Sequence, residues 1–297
     1  MTHNKNKGMF KFKYIFMVVF ASFFCMVSTK TFYGYAMPFY GLDGSGFTVR
    51  ASFSTFYGNS SDERKWNVNL ASQSINNFLL DVGAEFSFNS VVGERTEKRG
   101  YKQAKIIING EFTDGIGGGV CQVSTTLYNA VLLAGLKITE YHPHSLAVNY
   151  VSPSFDAMVN SGSADLRFVN NTLLPIIINC IADGENLKII VKGKKSSYTY
   201  EQVSEVVEEI PIEIKKVIDD GKYPELYVGQ EKIVSFGKKG LVSKGYLIKY
   251  KNGKLVEKRL IRKDKYKPLN CVIVIGTTEL EQENTPIEEL KTKSLTL

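Results

Sequence analysis

The sequence predicts an α+β domain followed by a small, elongated all-β module. Three observations carry that expectation. A glycine run at Gly117-Gly-Gly119 opens a helical pattern in which Val123, Leu127, Val131 and Ala134 recur at spacings of three and four, which places them on one helical face. Short alternating segments flank that helix on both sides. From Glu201 onward helical periodicity stops, and alternating segments are separated by Gly221, Gly229, Gly237, Gly240, Gly245 and Gly253. The 297 residues allow one large domain or two ordinary ones.

Taken in order, Thr48 to Phe56 alternates as a strand, and Asn59-Ser-Ser-Asp62 reads as a turn ahead of Arg64 and Trp66. Leu70, Ile75, Phe78 and Leu79 give Asn67 to Leu80 a helical spacing. Glu85 to Asn89 alternates again, with a loop at Val91 to Arg95, and Ile106 to Phe112 is a strand–turn signal around Asn109-Gly110. Gly135 suits the end of the central helix. Lys137 to Tyr141, Ala147 to Val151, Asp165 to Val169, Ile176 to Cys180 and Leu187 to Val191 read as strands. The polar stretch Gly193-Lys-Lys-Ser-Ser197 is the expected exposed linker between independently folded parts. The β module then runs from about Glu201 to Thr278, with Val206, Ile210, Ile212, Ile214, Val228, Ile233, Leu247, Ile248, Leu260, Val272 and Val274 as its expected core. Residues 279–297 read as a flexible tail.

Charge excludes one class of partner. The net charge is +7, but five of the 37 basic residues lie in residues 1–36, which hold no acid. The remainder carries 32 basic against 30 acidic residues, so nothing points to nucleic acid. Those N-terminal lysines precede the apolar run Tyr14 to Ser28, short for a membrane span and suited to an export signal. Gly34-Tyr-Ala36 offers a cleavage point; an uncleaved membrane anchor is the alternative. Either places the body of the protein outside the cytoplasm. Cys25 follows Phe24 rather than a small residue, which disfavours a lipid-anchored cysteine. Cys121, Cys180 and Cys271 remain: an odd number with no close pair, so a small disulfide scaffold is excluded. A Cys180–Cys271 bridge would have to join the two expected domains.

The chemistry concentrates at Gly117-Gly-Gly-Val-Cys-Gln122. Glycines let the backbone turn sharply and a ligand approach closely. Exposed N–H groups at a helix start favour an anion, and a cysteine placed there has its thiolate favoured. His142-Pro-His144 follows, with both histidines on an extended stretch and, two apart, on one face. A cysteine at a helix start with a later histidine is what a thiolate nucleophile needs; the plainer alternative is a small buried cysteine beside a tight turn. A zinc site from Cys121, His142 and His144 is chemically allowed but lacks the usual ligand spacing. No metal and no cofactor is assigned. Glu94 and Arg95 lie in a loop, Asp165 and Arg167 sit two apart on one strand face, and Gln122 and Asn89 are candidate oxyanion donors. Arg167 would otherwise pair with Asp156 or Asp165. An arginine beside a glycine-rich helix start suits a carboxylate such as a peptide end.

Five motifs, in order, resemble the VanW family, named for an accessory protein of vancomycin-resistance operons: Phe86-Ser-Phe-Asn-Ser-Val-Val-Gly93, Gly100-Tyr-Lys-Gln-Ala104, Gly117 to Asn129, His142-Pro-His-Ser145 and Asp165-Leu-Arg-Phe168. Residues 48–193 form the resembling domain. The stretch 201–278 resembles the G-five domain, with Gly229, Gly237, Gly240, Gly253 and Gly276 as its glycines. The resemblance implies a bacterial cell-envelope protein, with peptidoglycan or its peptide stem as the partner and the membrane as a second partner if the N-terminal segment stays attached. It also implies an extracytoplasmic, wall-associated location. Two functions stay open. In one, Cys121 is the nucleophile of an acyl transfer or amide hydrolysis, His142 or His144 is the base, and Gly117, Gly118, Gly119 and Gln122, with Glu94, Arg95, Asp165 and Arg167, bind. In the other the protein is a non-catalytic wall-binding or adhesion factor, its β module a spacer or a sugar-binding unit. Tyr223, Tyr227, Phe236, Tyr246 and Tyr250 are the stacking candidates there, and half-buried strands use the same residue types as core.

Overall fold

The computed structural model describes residues 47–279 except Asn109. The N-terminal signal or anchor and all but the first residue of the C-terminal tail lie outside the described residues. Among those described, no helix is long and apolar enough to cross a membrane.

The chain opens with β1 (Thr48–Phe56), α1 (Asp62–Ile75), β2 (Phe78–Leu80), β3 (Glu85–Ser87), the short α2 (Phe88–Val92), β4 (Gln103–Ile108) and β5 (Glu111–Ile116). Then come α3 (Val120–Leu133), β6 (Lys137–Glu140), β7 (Arg167–Val169), β8 (Ile176–Ala182) and β9 (Asn186–Gly193). Helix α1 begins where Ser61 accepts a hydrogen bond from the Arg64 N–H, with Asp62 and Glu63 in its first turn, an arrangement that satisfies free donors and matches the helix dipole. It stops at Ile75, earlier than the spacing of Phe78 and Leu79 implies. Asn77 has φ of 58°, and the chain after it pairs with β8 as a strand.

Strands β1, β9, β8 and β2 form an antiparallel sheet in that order. Along β9, Leu187, Ile189 and Val191 point into the core, the period of two that a half-buried strand requires. They meet Ile176 and Ile178 of β8, Val68, Ala71 and Ile75 of α1, and Val123, Leu127 and Val131 of α3. A second sheet, β3-β7-β6, stacks Phe86 on Phe168 at 4.8 Å between ring centroids. Strands β4 and β5 form a hairpin.

Helix α3 is the centre of this domain. Twelve of its 14 residues are buried, so its polar face is covered as well as its apolar stripe. The cover on that side is residues 154–159, which carry no regular strand. Ala157 O accepts from Ser124 Oγ at 2.6 Å, Thr125 Oγ1 accepts from Ala157 N at 2.9 Å, and Asn129 Nδ2 donates to Phe155 O at 2.8 Å. A buried backbone segment outside a sheet needs such partners. The expected strand at Ala147 to Val151 is irregular loop instead, its backbone held from outside by Lys238.

The second part comprises β10 (Tyr198–Ile210), β11 (Ile214–Ile218), β12 (Glu231–Ser235), β13 (Gly240–Lys251), β14 (Lys254–Tyr266) and β15 (Cys271–Ile275). Strands β10, β13 and β14 make one antiparallel three-stranded sheet; β11, β15 and β12 make another, with β11 parallel to β15. Most of its expected core lies open: Ile214 is 67% exposed and Val228 66%, and only Leu247 and Val274 of that set are buried. The module is a ribbon too thin to enclose a core of its own. Leu247 belongs instead to the cluster centred on α3. Gly193 is buried and only Lys194, Lys195 and Ser197 of the expected linker are exposed. Cys121, Cys180 and Cys271 are all free thiols.

Candidate functional site

Gly119 caps α3 with φ of 109°, a left-handed conformation that side chains resist. At Gly118 a Cβ would lie 2.7 Å from Lys105 O. Both glycines are therefore required to seat the helix start against β4 and α1, whatever else they do. Cys121 follows two residues later, partly accessible, its thiol 3.3 Å from Val159 O.

His144 and Asp156 complete a chain from that thiol. Asp156 Oδ2 accepts from His144 Nδ1 at 2.7 Å and from His144 N at 2.6 Å. The imidazole and the Cys121 thiol are near enough to shift each other's pKa. Burial alone would lower the His144 pKa, but the bond to Asp156 and the neighbouring Cys121 thiolate outweigh it and push it up to about 9. Burial likewise works against the Cys121 thiolate, and His144, the Val159 backbone and Arg95 together overcome it, so the thiol sits below its ordinary value. Burial works against the Asp156 carboxylate too, and its bonds to His144, Arg262 and Tyr266 hold it low. The arrangement favours a thiolate–imidazolium pair backed by a carboxylate.

Around this chain, Arg95 Nη2 donates to Asn89 Oδ1 at 2.6 Å, and a Cβ at Gly117 would meet Arg95 Cβ at 2.9 Å. Tyr150 lies near this chain; burial and the neighbouring thiolate both raise its pKa.

His142 is not part of the chain. Its Nε2 lies 2.9 Å from Glu140 Oε1 in a half-exposed position. The stretch after β6 is irregular rather than a strand, so two residues of separation do not put both rings on one face. Gln122 is no oxyanion donor through its side chain: its amide donates to Thr55 Oγ1 at 3.1 Å and Phe56 O at 2.9 Å and accepts from Arg64 at 2.7 Å. Asp165 accepts from Ser87 Oγ at 2.5 Å and Asn89 N at 2.8 Å, capping α2. Arg167 pairs with Asp165, Glu85 and Glu140, not with Asp156. These two residues line a separate open groove of about 440 Å³ with Ser87, Asn89 and Glu140. Glu94 is exposed, and its carbonyl accepts from Arg99.

Sequence reasoning missed Asp156 as a partner of histidine, because no spacing rule links it to His144. It also missed Arg262, Asp264 and Tyr266, which alternate as buried positions in the otherwise exposed β14. That alternation was the available signal: an arginine, an aspartate and a tyrosine on one face of a lysine-rich strand. Arg262 Nη1 donates to Asp156 O at 2.6 Å, Arg262 Nη2 to Asp156 Oδ1 at 3.3 Å, and Tyr266 Oη to Asp156 Oδ1 at 2.6 Å.

Residues 63–191 match the family model described as VanW like protein, and residues 201–278 match the G5 domain model. The chain therefore carries a VanW-like domain followed by a G5 domain. Over 135 residues it is 44% identical to the uncharacterized protein YoaR of Bacillus subtilis (strain 168), covering 46% of this chain and 45% of that one. Over 117 residues it is 29% identical to the vancomycin B-type resistance protein VanW of Enterococcus faecalis (strain ATCC 700802 / V583), covering 37% of this chain and 42% of that one. The chain spans less than half the length of these curated relatives. Among solved structures, HP0197-G5 aligns over its whole length and 27% of this chain, at 22% identity and a TM-score of 0.16. The IgA1 protease G5 domain aligns over 92% of its length and 28% of this chain, at 17% identity and a TM-score of 0.19.

Proposed function

We propose that this is an exported cell-envelope protein whose VanW-like domain carries out cysteine-dependent acyl transfer or amide hydrolysis on peptidoglycan peptide. One observation carries the catalytic half: the buried His144 ring is bonded through Nδ1 to the Asp156 carboxylate at 2.7 Å and is close enough to the Cys121 thiol to lower its pKa. The envelope half is supported by the signal-like N-terminal sequence, by the VanW and G5 matches, and by the resistance function in the name of the Enterococcus relative.

In this mechanism the Cys121 thiolate attacks the carbonyl carbon of a peptide amide, forming a C–S bond. Charge develops on the carbonyl oxygen beside the start of α3, where helix N–H groups favour it. As the C–N bond breaks, the His144 imidazolium gives its proton to the departing amine, leaving a thioester on Cys121. Water or an acceptor amine then loses a proton to neutral His144 and attacks the thioester, and the thiolate leaves. Asp156 holds the imidazole in the tautomer with Nδ1 protonated throughout. Arg95, near the thiol and tied to Asn89, suits a carboxylate on the substrate peptide.

The test is incubation of the protein with muropeptides, read by mass spectrometry. A Cys121 adduct with the mass of the muropeptide less its departing amine, a released product that has gained water or the acceptor amine, and loss of both in Cys121→Ala are the expected result. Binding of muropeptides with no mass change would instead make the protein a non-catalytic wall-binding factor.

A further inference from the structure

The charged side chains buried deepest beside the catalytic chain come from the G5 module. We propose that this module is part of the site: Arg262 and Tyr266 are positioning residues that fix Asp156 for His144. The proposal rests on the Cys121–His144–Asp156 mechanism above.

Asp156 is 1% exposed, and its two oxygens are divided between the two parts of the chain. Oδ2 takes both bonds from His144, while Oδ1 takes Tyr266 Oη and Arg262 Nη2. Rotation of the carboxylate would break bonds on both sides. Arg262 is itself held on every edge. Its Nε donates to Asp264 Oδ2 at 2.6 Å, and its guanidinium lies 4.5 Å from the Tyr141 ring centroid.

The backbone that carries the catalytic groups is clamped by the same strand. Ser154, two residues before Asp156, has φ of 65°, a strained value for serine, and its N–H donates to Tyr266 Oη at 2.8 Å. Strain of this kind persists only where surrounding structure over-determines it. A residue beyond Tyr266, the Lys267 N–H donates to Ser145 O at 2.7 Å, next to His144. One strand end thus grips the neighbours of both His144 and Asp156. Burying a guanidinium and two carboxylates is costly, and an apolar contact of equal volume would join two modules as well or better. Orientation of Asp156 is what the charged contact supplies and an apolar one does not.

The experiment is the rate of Cys121 alkylation by iodoacetamide against pH on the full chain, read by peptide mass spectrometry so that the other cysteines do not interfere. His144→Ala tests the underlying mechanism: it should move the midpoint of the wild-type profile up toward that of free cysteine. Tyr266→Phe and Arg262→Lys leave the charge count unchanged and remove a hydroxyl and a fork. Each should raise the midpoint by about one unit, lowering the rate below the midpoint about tenfold. Gln202→Ala removes a bond to Asn129 in the same interface without touching Asp156 and should leave the profile in place, so a shift there too would reduce the effect to loose docking and overturn the proposal. A wild-type profile in Tyr266→Phe and Arg262→Lys, with His144→Ala shifted, also overturns it and leaves the mechanism standing. Should Arg262→Lys fail to fold, Tyr266→Phe decides alone. A wild-type Cys121 that titrates like free cysteine removes the mechanism and the proposal together.

Discussion

Replacing Asp156 by asparagine removes a charge from the middle of the buried network while keeping the side-chain volume. The magnitude follows from His144, which is 6% exposed and whose pKa is held at about 9 against an ordinary 6.5. That rise corresponds to about 3 kcal/mol of preferential stabilisation of the imidazolium, the same order as the loss on breaking a buried ion pair. Because the folded-state pKa is raised, this stability is fully present below the unfolded value near 6.5 and is lost as pH rises through about 9. The lowered Cys121 pKa has the opposite sense: its contribution is present above the ordinary thiol value and is lost as pH falls through the folded one. Denaturant unfolding of wild type and Asp156→Asn should therefore differ by about 3 kcal/mol near pH 6, with the gap narrowing from about pH 6.5 and its His144 part gone above about pH 9. A difference below about 1 kcal/mol near pH 6, the size of one ordinary neutral hydrogen bond, or a gap that widens with pH, would refute the claim that Asp156 is the counterion of His144.

Two further outcomes follow from the geometry. His142→Gln should leave the pH profile of Cys121 alkylation unchanged, since that ring faces Glu140; a shift would make His142 the base after all. The VanW-like domain and the β10-β13-β14 sheet should unfold in one denaturant transition, seen alike by fluorescence of Trp66 in α1 and by hydrogen exchange of β13 amides, because Asp156, Ser154 and Asn129 bond across to β14, β13 and β10. Two separate transitions would restore the independent modules that the linker-like composition of residues 193–197 implies.

Much of the fold was legible because it follows from local rules. Val123, Leu127, Val131 and Ala134 mark α3 by spacing alone, Gly135 marks its end, and the alternation in β9 marks its buried face. The motif Gly117 to Gln122 marked Cys121 as the residue to watch, since a thiol at a helix start has its chemistry altered by its own backbone. Local rules fail where the partner is distant in sequence. His142 and His144 are indistinguishable by spacing, and only the irregular path after β6 turns one to Glu140 and the other to Asp156. Gln122 reads as a donor at a helix start, yet its amide is consumed by Thr55, Phe56 and Arg64. The apolar residues of β10 to β15 alternate as though they enclosed a core, but a three-stranded ribbon has too little thickness to bury them, and the one that is deeply packed near α3, Leu247, is buried by the other domain. The sequence by itself determined most of the elements, the two-part order and the place of Cys121 at a helix start, because periodicity and backbone conformation are local. Tertiary structure alone decided which histidine faces the thiol, which carboxylate backs it and that β14 reaches across to hold both, because hydrogen bonds and buried charge depend on distance in space rather than along the chain.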